Sequence, residues 1–128
     1  GNPTTFDFLA FTHYWAKSRN GNWVIKRKTA RKRLKRAMKA IWQWCRENQH
    51  DKLSEQYATL RSKLLGHYHY YGIIGNYQTM EVYFRHVIKS WRSRLGRRSR
   101  NGYITYKNFS ERYLKAFPLP PPRIVHCF

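Results

Sequence analysis

Apolar residues recur at helical spacing along three long stretches of the chain, and at strand spacing only near its start. From Thr29, read as an N-cap, to about Asn48, the residues Ala30, Leu34, Ala37, Met38, Ile41 and Cys45 share one face, with Trp42 and Trp44 at its flanks. Lys28, Lys32, Lys35, Arg36, Lys39 and Arg46 fall largely on the opposite side. A second helix is predicted from Asp51 to about Tyr71, with Leu53, Tyr57, Leu60, Leu64, Tyr68 and Tyr71 as its stripe and Gly72 as its stop. A third runs from about Asn76 to Leu95 on Met80, Phe84, Val87, Ile88, Trp91 and Leu95, and Gly96 ends it. Three such stripes bury one another only as a three-helix bundle. A short helix follows from Thr105, its cap, to Phe117; Pro118, Pro120, Pro121 and Pro122 forbid more helix, so the tail is extended. Ahead of the bundle, "TFDFLAFTHYW" and "GNWVIKR" flank an Asn-Gly turn signal and predict a β-hairpin, Phe6 to Tyr14 and Trp23 to Lys26. The expected fold class is mainly α: an N-terminal β-hairpin, a three-helix bundle, a short C-terminal helix and a Pro-rich tail.

Charge changes this picture. The chain has 128 residues, enough for one small domain, yet it carries a formal net charge of +20. Lys and Arg number 26 against six acids, and no acid lies between Asp7 and Glu47. Aromatic residues make up 17%, which argues against disorder by composition. The segment "KRKTARKRLKRAMK" (26–39) concentrates the positive charge on the first helix. Like charges at i,i+4 cost a few tenths of a kcal/mol each. Burying one Leu-sized side chain gains about 1.5–3 kcal/mol. The helix therefore folds through its apolar stripe and leaves its cations unneutralised, which calls for a polyanion. Nucleic acid is the first candidate and an anionic membrane surface the second. No stretch reaches the roughly 18 apolar residues of a membrane helix. Cys45 and Cys127 are the two cysteines, too few for a disulfide scaffold or a zinc site, and the chain reads as intracellular with free thiols.

Each candidate has a plainer alternative. The helix 1 cations Lys28, Arg31, Lys32, Lys35, Arg36 and Lys39 read as phosphate contacts; the alternative is a solvated face, but solvated faces mix both signs. In "GHYHYY" (66–71), Tyr68 and Tyr71 belong to the core stripe, whereas His69 and Tyr70 point elsewhere and are candidates for RNA contact by stacking. His67 and His69 at i,i+2 do not converge on a metal. Arg94, Arg97, Arg98 and Arg100 surround the exit of helix 3 and read as a phosphate clamp; capping of helix carbonyls accounts for one Arg of such a cluster, not all. Trp42 and Trp91 fit buried stripes, and Trp44 is a candidate stacking platform. Cys45 lies on an apolar face with no acid–base partner fixed by spacing, so no nucleophilic site is read there.

"FDFLAFTHYW", "LLGHYHYYGIIGNY", "WRSRLGRRS" and "FPLPPPRIVH" together resemble the C-terminal part of bacterial group II intron reverse transcriptase/maturases, in the right order and over nearly the whole chain. The resemblance implies three parts: residues 1–25 the end of the palm, 26–95 the thumb or maturase domain X, and 96–128 a basic C-terminal DNA-binding segment. Phe8, Leu9 and Phe11 match a Phe-Leu-Gly-Phe block in which Ala10 stands for the Gly. The family's polymerase centre, a Tyr-Ala-Asp-Asp motif with an upstream Asp and two divalent metals, has no counterpart here. The resemblance thus implies no catalytic residue and no cofactor in this chain, with Mg expected in the palm that it lacks. The parent protein would be an RNA-directed DNA polymerase of the type without an endonuclease domain, and the chain a piece or remnant of it.

The implied function is an RNA-binding maturase and thumb module. It would grip group II intron RNA for splicing and hold template–primer duplex or target DNA, alongside the remaining palm and fingers, in the bacterial cytoplasm and not at a membrane. Left without that palm, Phe6, Phe8 and Leu9 are expected to make the chain associate. The alternatives are a basic module docking an acidic protein or a membrane, a thumb subunit complementing a separately encoded palm, and a reverse-transcriptase-derived gene put to another use.

Overall fold

The computed structural model describes residues 5–8, 11–17, 19–73, 75–98 and 102–125; at 5–8, 11–14 and 25–29 it describes the backbone alone. Three antiparallel strands come first: β1 (Thr5–Phe8), β2 (Phe11–Lys17) and β3 (Trp23–Thr29), in the order β1-β2-β3. Lys17 pairs with Trp23 across the Asn-Gly turn, where Gly21 takes φ 81°. The expected first arm, Phe6 to Tyr14, is in fact two strands that pair with each other, Phe8 facing Phe11. No Gly, Pro or Asn lies between those two residues to signal the break. The second arm continues past Lys26 to Thr29, because a cationic run is tolerated on an edge strand, where it also discourages unwanted pairing. Phe6, Phe8, Phe11 and Lys28 are therefore placed by backbone only; Leu9, Ala10, Arg100 and Cys127 lie outside the described residues.

The three long helices are α1 (Arg31–Glu47), α2 (Leu53–Tyr71) and α3 (Tyr77–Gly96). Thr29 is not the cap of α1: it ends β3, and Ala30 stands at the N-cap without a side-chain bond. Lys28 accordingly belongs to a strand and not to the basic helix. The core joins Ile41 and Cys45 of α1, Leu60, Leu64 and Tyr68 of α2, and Met80, Val87, Trp91 and Leu95 of α3. Burial pushes the Cys45 thiol up to about 12, with Arg94 and Lys63 opposing, so it is an inert packing residue. Trp91 is fully buried and donates its indole N–H to Gln56 Oε1 at 2.9 Å. Gln56 in turn donates to the Asp51 carbonyl at 2.7 Å, tying α3 to the α1–α2 turn. Trp42 departs from expectation: it sits at the edge of the stripe and stays 36% exposed.

Two glycines permit close approaches. Gly72 caps α2, and a Cβ there would run into the Tyr68 carbonyl and come within 3.1 Å of Arg123 O and Val125 N of the tail. Gly96 is the last residue of α3, one past the expected Leu95, and a Cβ there would meet Tyr103 Cα at 3.1 Å. Thr105 caps the short helix α4 (Tyr106–Phe109) as expected, its Oγ1 accepting from Asn108 N–H at 3.2 Å. The helix then widens into a π-type turn over Ser110–Leu114. Phe109 meets Trp91 edge-on at 5.6 Å and is fully buried, which docks this segment on the bundle. The tail is held by Tyr57 and Tyr68, whose hydroxyls donate to the Pro118 and Pro120 carbonyls, both at 2.8 Å. Among the described residues, no helix is long and apolar enough to cross a membrane.

Candidate nucleic-acid interface

Helix α1 sorts its side chains into two sectors. Ala30, Ile41 and Cys45 are buried and Leu34, Ala37, Met38 and Trp44 partly so; Arg31, Lys32, Lys35, Arg36, Lys39 and Arg46 are exposed. At about 100° per residue the six cations occupy an arc of roughly 140°, and 17 residues make a rail about 25 Å long. No acidic side chain among the described residues pairs with these cations. Glu47, at its edge, accepts from Gln43 at 3.1 Å. The one ion pair among the described residues is Arg85 with Glu81 at 2.6 Å, on α3. The uncompensated charge thus has a fixed geometry, because the packed face of the helix holds it.

The remaining candidates distribute around this rail. His69 and Tyr70 are both exposed at the end of α2. Their neighbour Tyr71 lies near the Arg33 guanidinium, which opposes the rise that burial imposes on its pKa, so this aromatic end sits beside the start of α1. His67 is buried instead, its ring stacked on Tyr83 at 3.9 Å, so the two histidines of the "HYH" stretch face different surroundings. Arg94 lies over the Trp42 ring at 4.8 Å and so joins the C-terminal half of α1. Partial burial, then the like charges of Arg97 and Arg46, lower its pKa, a sign that cations from two helices converge here. Arg97 is exposed beside it, and Arg98, also exposed, donates to the Asp51 carbonyl of the α1–α2 turn at 3.4 Å. The structure therefore divides the C-terminal cluster, with Arg94 and Arg97 beside Trp42 of α1 and Arg98 at the α1–α2 turn.

Several residues at this surface have no prior place in the sequence reading. Lys89 and Arg92 of α3 line a recess with Trp42, Arg97, Tyr103 and Ile104. The spacing of Arg85, Lys89 and Arg92, at i, i+4 and i+7, is the signal that marks a cationic stripe on α3. Trp44, a candidate stacking platform, is partly buried with Lys63 Nζ 5.8 Å above its ring. Among the described residues no three His, Cys, Asp or Glu side chains come together as a metal site. No family model, no curated protein and no solved structure matches this chain.

Proposed function

We propose that the chain is an RNA-binding module that clamps structured RNA through the basic face of α1, flanked by His69 and Tyr70 at one end and by Arg94 and Arg97 at the other. The single observation that carries this reading is the exposed arc of six cations on α1 with no acidic partner among the described residues. Each phosphate neutralised by such a cation releases condensed counterion, so affinity arises without base-specific contacts. A-form duplex is bound through backbone and shape, which suits a rigid rail of charge. The sequence motifs that resemble group II intron maturases favour intron RNA as the target. In that setting the module is the thumb, and it stabilises the folded intron for splicing and holds the template–primer duplex or target DNA for the palm and fingers. On this reading Mg and the polymerase chemistry belong to the palm and fingers.

The test is binding to a structured group II intron RNA and to an unrelated RNA duplex over a salt series. The expected result is tighter binding to the intron at every salt concentration, with a steep salt slope for both. Equal affinity for the two RNAs would reduce the function to a non-specific clamp. An absence of binding to either would overturn the RNA reading in favour of an acidic protein partner.

A further inference from the structure

Beside the α1 rail, the segment 102–104 folds back over the end of α3. Gly96 makes this possible, since its missing Cβ leaves room for Tyr103 Cα and Ile104 N. The recess so formed has a volume of about 190 Å³ and is lined by Trp42, Lys89, Arg92, Arg97, Tyr103 and Ile104. That is below the ~300–1,000 Å³ of sites for whole drug-sized ligands, so it suits one group of a longer ligand. Its lining combines two aromatic rings, one aliphatic side chain and three cations. Tyr103 is 67% exposed and Trp42 36%. The guanidinium of Arg92 lies 5.7 Å from the Tyr106 ring centroid, so one of the three cations is braced by an aromatic ring, and Arg94, outside the lining, adds a fourth positive charge over Trp42.

Aromatic faces beside clustered cations are what an unpaired nucleotide needs: a ring to stack on and a positive site for its phosphate. We infer that this recess is a subsite for a single unpaired nucleotide of an RNA strand, its base against Trp42 and Tyr103 and its phosphate among Lys89, Arg92 and Arg97. The inference rests on the RNA-binding reading and adds to it. The α1 rail takes duplex backbone, and the recess takes a base that leaves the stack where a duplex gives way to a loop or a free end. Arg97 belongs to both surfaces and so sets the distance between them.

The test uses the full chain with a single-stranded RNA of roughly ten nucleotides and an abasic strand of equal length and charge. The unaltered chain is expected to prefer the strand that carries bases. Tyr103→Ala, a change at an exposed side chain, should weaken binding to that strand by about 5- to 150-fold. It should leave the abasic strand and duplex RNA unaffected, and Tyr103→Phe should restore the preference. Arg97→Gln should lower the salt slope by about one on either strand. Equal affinity of the unaltered chain for the two strands, with duplex binding intact, would overturn the subsite alone. So would an unchanged preference in Tyr103→Ala. Failure to bind duplex RNA as well would overturn the RNA reading together with it.

Discussion

His67 is 8% exposed, its Nε2 meets no hydrogen-bond partner, and its ring is stacked on Tyr83 with Tyr71 at 4.6 Å and Tyr68 at 6.4 Å. Burial lowers its pKa to about 4, below the ordinary value near 6.5. The neutral ring is therefore the folded form, and the unfolded chain binds the proton more readily. Its contribution is complete above about pH 6.5 and is lost as pH falls toward about 4. Between pH 7 and pH 5 the loss amounts to about 2 kcal/mol. Urea unfolding at these two pH values should show it, and His67→Phe, which keeps the stack on Tyr83, should remove most of that pH dependence. A slope equal in both proteins would assign the pH dependence to other groups. In sequence, His67 and His69 look alike; only the packing of α2 on α3 makes one a core residue and the other a surface one.

Helix α1 holds two opposed demands on one element. Its cations repel one another at i,i+4, and its apolar stripe outweighs that repulsion through contacts with α2 and α3. Charge and packing are thus separable by mutation. Changing Lys32, Lys35 and Lys39 to Gln should leave helicity intact and lower the salt slope of RNA binding by up to about three. Circular dichroism and a salt titration check the two halves of this statement, and an unchanged slope would remove α1 from the contact surface. Adding Lys28→Gln belongs to a different experiment, because Lys28 stands on β3. That boundary was not legible locally: the sequence around Thr29 offers a good cap residue, but pairing of Thr29 with Phe11 claims it for the sheet.

The molecule is closed by its tail. Residues 118–125 run along α2, where the Tyr57 and Tyr68 hydroxyls hold the prolines and Val125 N–H donates to the Gly72 carbonyl at 2.8 Å. Gly72 is the point of closest approach, and its φ of −78° is open to any residue, so space and not backbone freedom demands glycine there. Gly72→Ala should cost about 1–3 kcal/mol by overpacking. Amide exchange at Val125 should accelerate along with the fall in denaturant midpoint; a change in midpoint alone would mean that the tail does not depend on this contact. Seen across the whole chain, the sequence by itself determined the three amphipathic helices, the Thr105 cap, the Asn-Gly turn and the basic face of α1. These follow from local periodicity and from residue chemistry within a few positions. The tertiary structure decided the rest. It split the first β arm, left Trp42 half in solvent, buried Gln56 as a polar link between helices, and divided Arg94 and Arg97 from Arg98. It also brought Trp42, Lys89 and Tyr103, far apart in the chain, around one recess. Each of these depends on which distant surface competes for a side chain, and that is fixed only when the helices pack.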